Sequence, residues 1–578
     1  MSKLLCAHFR TTVPKNIGEK LTAICHKIEP DNIIANKPKV LIDLQCAVAI
    51  MNPTNTIDIR NTSVLLGSQV KDNDSAEWDS SQNGYPDGSY AIFRNNETKS
   101  EFITDSVASR TIWYYYDDDL FLAATSQRAI ILFLESFSFD ERCIPWILST
   151  GSLGPEYSWD KRIKRIPPST TIILDKKTWE IKSETTPVIF SPTKKKSKTQ
   201  KKNLSDTIAF TLRKMDINLK HWVLPLSGGY DSRGILYFML KGGTKPSDIE
   251  TITWGLKESL EVKGNDAQIA QEIAKTLKTP HKYYHTNLSE EPLKRILDRF
   301  ILLGEGRIDH LGGYMDGFHI WKTLFEKGVQ GIIRGDEGFG WSSVSSASNV
   351  RLYTGCALCS DFENLKDYCI SNGIPEQVLP DHLKRKKKES LSTWRDRIYH
   401  EYRIPTVLAA LSDLKLGYVE QLTPLLSNKI LEVVRELPDK LRTDKLLFRK
   451  IIDEMEPKIP YADKGANANI NTILQHNDIV TFIREELSSD YARSVLPEAI
   501  LTDTIKKLKI TDKSSTIKKE SPAKKALAAI KKLAPKFVKN ILIANRDLKI
   551  DPNILAFRLY IIVFMHKLCS SEFKNLKI

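Results

Sequence analysis

Residues 222–240 read WVLPLSGGYDSRGILYFML, and the parsing of this stretch decides the fold. The apolar strand WVLPL runs into Ser227, Gly228 and Gly229, and the helical pattern RGILYFML begins just past Asp231 and Ser232. Two glycines at such a junction let the backbone turn tightly and approach a ligand, while the amides at the helix start point at an anion. The hydroxyls of Ser227 and Ser232 add donors, which leaves Asp231 to hold a magnesium ion against phosphates. A glycine pair alone is as often ordinary turn chemistry. The full string contains neither the GxxxxGK[ST] lysine loop nor GxGxxG, so neither standard nucleotide motif accounts for it.

Outward from this loop, strands alternate with helices. A helix is expected near Ser205 to Met215, then the glycine loop, the strand TITWGL, the helix DAQIAQEIAKTL and the strand VQGIIRG. Strand, helix, strand in this order predicts an α/β fold with a doubly wound parallel sheet. GDEGFGW, at 335–341, follows VQGIIR directly and puts Gly335 and Asp336 at a strand end facing the same crevice. A carboxylate there is where a second magnesium ligand belongs, although Asp336 taken alone reads as a solvated acidic turn. From about Leu411 onward helical periodicity dominates to the end.

Upstream, from about Val40 to Thr185, the text reads as short strands with turn signals: YAIFR, EFITD, TIWYYY, LFLAAT and, after Pro167 and Pro168, TTIILD. The Lys/Ser/Pro stretch from Ser191 to Asn203 reads as a linker. The expected organisation is a β-rich domain at 1–190, a basic linker at 191–204, an α/β domain carrying the glycine loop at 205–480 and a helical basic extension at 481–578.

Bulk properties narrow the class. A chain of 578 residues with 41% hydrophobic and 27% charged residues is expected to fold into two or three domains. Its formal charge of +14 favours acidic partners, but KKKSKTQKK at 194–202 and the lysine-rich Lys506–Lys539 read as solvated linkers or helix faces, not as a nucleic-acid site. Eight scattered cysteines, with Cys356 and Cys359 the one close pair, show no zinc-ribbon spacing. The start MSKLLCAHFRTT lacks a signal-peptide core, and ILAFRLYIIVFM at 554–565 carries Arg558 and reads as a buried helix, so no membrane span and a cytoplasmic location are expected.

SGGxDS resembles the pyrophosphate-binding loop of the N-type ATP pyrophosphatases, and the ordered set extends the likeness. EQLTPLL from Glu420, then LPDKL, KLLFR and IPYADKGA, complete a pattern similar to the asparagine synthetase B family over roughly residues 85–470. The resemblance implies ATP and Mg2+ as cofactors. It places Ser227, Gly228, Gly229, Asp231, Ser232, Trp254 and Gly335 around the nucleotide, and Asp231 and Asp336 on magnesium. It gives Lys445 to the phosphates, Lys464 to the transition state and Glu420 to a general base. DGSYAIF, LFLAATSQRAIILF and IKRIPPSTTIIL resemble landmarks of that family's αββα glutaminase domain.

The departures matter as much. Position 2 is Ser2, no NGEIYN-like motif is present, and Cys6 is followed by Ala-His, so a degenerate glutaminase-like domain is expected. Losing the glutaminase while keeping the ATP half resembles the β-lactam synthetases and the lasso-peptide cyclases. Ile333 stands where the β-lactam synthetases have a tyrosine, which leaves the base open among Glu420, Glu337 and a group on the substrate. The resemblance implies a carbon–nitrogen ligase acting on a carboxylate substrate. Its leading form is a peptide macrolactam cyclase on a precursor peptide, with a leader-binding or protease partner. The alternatives are an amidotransferase using ammonia or a partner glutaminase, and a non-catalytic nucleotide-binding scaffold.

Overall fold

In a computed structural model, residues 3–71, 77–80, 85–511 and 548–575 are described. The chain is mixed α/β, with two antiparallel six-stranded sheets followed by one parallel five-stranded sheet. The N-terminal strands are β1 (Leu4–Phe9), β2 (Lys39–Ile42), β3 (Cys46–Ile50), β4 (Ile57–Arg60), β5 (Ser63–Val70), β6 (Asp87–Asn95), β7 (Lys99–Thr104), β8 (Trp113–Tyr116), β9 (Leu120–Ala124), β10 (Lys164–Arg165), β11 (Thr170–Asp175) and β12 (Glu180–Thr185). They order as β10-β8-β9-β1-β3-β2 in the first sheet and β12-β11-β7-β6-β5-β4 in the second.

The two sheets stack face to face because alternate residues of each strand are apolar and point inward. Val48, Ile50 and Phe121 of the first meet Val64, Leu66, Ala91, Phe93 and Phe102 of the second. The outer face of the first sheet is covered by the helices Ile17–Ile28 and Gln127–Leu134. The expected fourth layer is missing among the described residues: no helix of 1–190 covers the second sheet. Its outer face carries the small buried cluster Leu65, Tyr90, Ile92 and Ile103 under Trp78, together with the buried pair Arg94–Glu101. So small an apolar patch gives a helical layer little to bury.

The third sheet is built from β13 (Trp222–Pro225), β14 (Glu250–Gly255), β15 (His281–His285), β16 (Gly331–Ile333) and β17 (Glu420–Leu422), ordered β15-β14-β13-β16-β17 with every pair parallel. Helices cover both faces. Trp222, Leu224 and Leu226 pack with the helices Ser197–Arg213, Asp231–Lys241 and Leu446–Asp453. Val223, Ile252 and Ile332 pack with Leu293–Gly304 and His319–Glu326. The strand order reverses between β13 and β16, so a crevice opens beyond their carboxyl ends, where open α/β sheets take ligands.

One further expectation needs correction. The stretch read as a linker turns helical at Ser197, six residues into it, with Gln200 and Leu204 buried; the lysines occupy the solvent side of an amphipathic helix. The C-terminal part is mainly helical, as its periodicity predicts, with β17 interposed to complete the sheet. The helix Pro552–Ser571 is long and apolar enough to cross a membrane by length and composition, yet it serves as a core helix. It packs against Asn477–Leu487, Glu498–Lys506 and Cys143–Thr150, and Arg558 binds Asp309 at 2.7 Å and the Leu148 carbonyl at 2.7 Å. Most of the basic run Lys506–Lys539 lies outside the described residues.

Candidate active site

The glycine loop leaves β13 at the switch point and turns into the helix Asp231–Lys241. Ser232 Oγ accepts from the Ser227 amide at 2.9 Å and lies 3.0 Å from Ser227 Oγ, which pins the loop across its own turn. Gly228 is needed for packing: a Cβ there would stand 2.6 Å from Ala462 Cβ and 3.0 Å from Ile269 Cβ. The glycine amides, expected to face a ligand freely, have partners. Gly228 N donates to Asp266 Oδ1 at 2.8 Å and Gly229 N to Ser227 Oγ at 3.3 Å. Arg233 ties the loop to the segment 459–461, donating to the carbonyls of Ile459 at 2.6 Å, Pro460 at 2.8 Å and Gly228 at 3.1 Å, and lying 4.1 Å from the Tyr461 ring.

A cavity of about 250 Å³ opens at this point. Ser227, Asp231, Ser232, Trp254, Gly335 and Asp336 all line it. Gly335 is the close-approach residue, since a Cβ would lie 3.0 Å from the Ser232 amide and 3.3 Å from Asp231 Cβ. Trp254 closes one side and packs edge-on against Trp321 with ring centroids 5.3 Å apart. A second cavity of about 320 Å³, lined by Tyr230, Trp341, Asp444, Lys445 and Arg449, opens on the other side of Asp231. Asp231 is therefore the wall common to both.

The electrostatics centre on Lys445, which lies 2.8 Å from Asp231 Oδ2 and 2.8 Å from Glu337 Oε1. Burial pulls its ammonium down, but the two carboxylates more than offset this and hold its pKa above the ordinary lysine value. Burial raises the Asp231 carboxyl, Lys445 works against that, and the neighbouring Asp336 adds to it. Glu337 is pushed up to about 6 by burial, against Lys445 and with help from Asp231. Asp336 pairs with Arg334 at 3.1 Å. Oxygen donors in such a cluster, several of them raised by burial and mutual repulsion, are the donor set that suits a hard divalent cation, so the residues fit magnesium.

Two residues placed here by the sequence do not belong. Glu420 begins β17 level with Gly331, while Leu422 is level with Ile333. Because β16 and β17 run parallel, Glu420 stands at the entry end of the sheet, about 7 Å of strand back from the end that feeds the site. It is buried, pairs with Arg110 and accepts from the Gln421 amide at 2.9 Å, so it ties the N-terminal half to the parallel-sheet half and lies outside the cavity lining. Lys464 is exposed, with Nζ on the Lys263 carbonyl at 3.0 Å; its backbone bridges to Asn265, which leaves it at the rim outside the cavity lining.

The cavity also holds Asp266, Arg334 and Asn467, none of which the sequence motifs single out. Burial raises the Asp266 carboxyl, and the Gly228 amide partly offsets this. Its one sequence signal was an acidic residue in the first turn of DAQIAQEIAKTL, a common helix-start feature. Cys6, which would have to be chain-terminal to serve as an amidotransferase nucleophile, lies in mid-strand β1 and is 2% exposed between the two sheets.

No family model matches the sequence, and no curated protein does. The chain is similar to the solved structure of glutamine phosphoribosylpyrophosphate amidotransferase from B. subtilis complexed with ADP and GMP, at 8% identity, over 49% of this chain and 80% of that one, with a TM-score of 0.20. It is similar also to an allosteric regulatory enzyme of purine biosynthesis at 10% identity, with the same coverages and a TM-score of 0.21. Likenesses this loose carry no argument about the site.

Proposed function

We propose that this chain is an ATP-dependent carbon–nitrogen ligase that adenylates a substrate carboxylate, releases pyrophosphate and passes the acyl group to an amine. The observation that supports it best is the convergence of the SGGYDS loop, Asp231 and Asp336 on one cavity at the switch point of a parallel sheet. In this reading the triphosphate lies over Ser227–Ser232. Asp231 and Asp336 would hold magnesium, which when bound neutralises phosphate charge. Asp266 gives up the Gly228 amide to a phosphate oxygen. Lys445, shared by Asp231 and Glu337, supplies fixed positive charge as charge builds on the leaving pyrophosphate.

A carboxylate oxygen then attacks the α-phosphorus, the bond to pyrophosphate breaks, and an acyl-adenylate forms. The amine nitrogen attacks the acyl carbon, AMP leaves with the bonding pair, and the amine sheds a proton. Glu337 takes the place of Glu420 as base: it is buried beside the cluster, and a pKa of about 6 suits proton removal near neutral pH. The finer reading is a macrolactam cyclase on a precursor peptide. The buried Cys6 favours an amine that arrives with the substrate over one released from glutamine by this chain. The apolar helix Pro552–Ser571 is buried in the core, as its sequence predicts.

Exchange of labelled pyrophosphate into ATP tests the reading. Exchange that depends on a carboxylate, and is lost in Asp336→Asn, is the expected result. Incorporation with no carboxylate requirement, or none with any carboxylate including Asp- and Glu-containing peptides, would contradict it.

A further inference from the structure

Away from this site, three ligating side chains meet between the two N-terminal sheets. Among the described residues, Cys6, His8 and Cys46 form a cluster whose ligand atoms all lie within 4.8 Å of one another. Cys6 Sγ is 3.8 Å from Cys46 Sγ and 3.3 Å from His8 Nε2, and Cys46 Sγ is 3.7 Å from His8 Nε2. The backbone sets this up. Cys6 and His8 are two apart on β1 and share a face, and His8 is paired directly with Cys46 across β1 and β3. All three point at the second sheet and are 2%, 1% and 0% exposed in chain order.

We propose that Cys6, His8 and Cys46 bind a thiophilic metal ion, zinc or copper(I), as a staple between β1 and β3 on the inner face of the first sheet. Three observations carry it. The spacing matches: sulfurs about 2.3 Å and a nitrogen about 2.0 Å from zinc, at tetrahedral angles, stand about 3.8 Å (S to S) and about 3.5 Å (S to N) apart. The imidazole is oriented: Ser100 Oγ donates to Asn95 Oδ1 at 2.7 Å, leaving its lone pairs toward His8 Nδ1 at 3.5 Å. That arrangement favours the proton on Nδ1 and turns the Nε2 lone pair to the two sulfurs, as outer-shell partners do for metal-bound histidines. The surroundings give the ring no better partner, for Phe102 and Phe121 flank it at centroid distances of 5.7 and 6.4 Å. A buried imidazole in an apolar core is costly unless its polar atoms are engaged. Two soft thiolates with an imidazole select ions of this class over magnesium or calcium. The bland alternative is a thiol–imidazole hydrogen bond, and a third is a Cys6–Cys46 disulfide.

The test is elemental analysis of the full-length protein, purified under reducing conditions and reconstituted separately with zinc and with copper(I), together with the spectrum of the cobalt(II)-loaded protein. Near-stoichiometric metal, a thiolate-to-cobalt charge-transfer band, and loss of both in Cys46→Ser and His8→Ala but not in Cys356→Ser are expected. Whichever ion is retained against dialysis identifies the occupant. The wild-type cobalt spectrum needs no folded variant, so a variant that fails to fold does not blunt the test. Metal-free protein after reconstitution, with Cys6 and Cys46 both alkylated on denaturation, would overturn the proposal in favour of the hydrogen bond. The same pair recovered as a disulfide without reductant would overturn it in favour of the cross-link.

Discussion

Replacing Lys445 by methionine removes the one cation that Asp231 and Glu337 share while keeping most of the side chain's volume. Breaking a fully buried ion pair costs about 3–5 kcal/mol. With the Lys445 and Asp231 side chains 19% and 29% exposed, the lower end, about 3 kcal/mol at pH 7.5, is expected. The loss should depend on pH, with a definite sign. Glu337 titrates at about 6 in the fold against an ordinary 4.5, so between those values the native state binds more protons than the unfolded chain. Its effect on stability is therefore most favourable below the unfolded value and worsens as pH rises through the folded one. In the wild type that swing is about 2 kcal/mol, at 1.36 kcal/mol per unit. Without Lys445 both acids rise further and the window extends upward, so protonation at pH 5 removes most of the uncompensated charge and shrinks the loss to about 1 kcal/mol. Urea denaturation of wild type and Lys445→Met between pH 5 and pH 8 measures this. An equal loss at both ends of the range would show that Lys445 contributes by packing alone and would refute the shared-cation reading.

Other substitutions separate the site from its supports. Glu420→Gln removes the carboxylate charge from the buried Arg110–Glu420 pair and should cost about 3 kcal/mol by urea denaturation, while the protein that remains folded keeps its nucleotide affinity; a selective loss of turnover at normal stability would restore Glu420 as a base. Glu337→Gln should slow amide formation more than pyrophosphate exchange, read by comparing the two rates. Gly335→Ala forces a methyl against the Ser232 amide and should cost about 1–3 kcal/mol and weaken ATP binding about tenfold by calorimetry, because β16 must back away from the helix start.

The sequence was most legible where one local segment carries the chemistry. The glycine loop, its strand and its helix are contiguous, and DAQIAQEIAKTL folds as the helix Asp266–Leu277 its periodicity predicts. β15 was harder to see, since HKYYH is polar by composition and becomes a strand only by pairing with β14. Glu420 shows the limit of chain order: the E-x-x-x-P pattern fits the resemblance, but strand direction and register put its carboxylate at the wrong end of the sheet. Asp266 opens a helix while Arg334 and Asn467 lie in two separate loops, and no spacing in the chain announces that they meet. The Cys6, His8 and Cys46 cluster was hidden for the same reason. Two of its members sit at strand spacing and the third is thirty-eight residues beyond His8, so no cysteine-pair motif marks it.

The central claim is the cleavage of ATP between its α and β phosphates at this cavity. Product analysis of Mg-ATP turnover, with candidate carboxylates added in turn and with ammonia or glutamine present or absent, tests it most directly. AMP and pyrophosphate, dependent on a carboxylate and abolished by Asp231→Ala, are expected. ADP and phosphate as products, or undiminished AMP formation in Asp231→Ala, would contradict it.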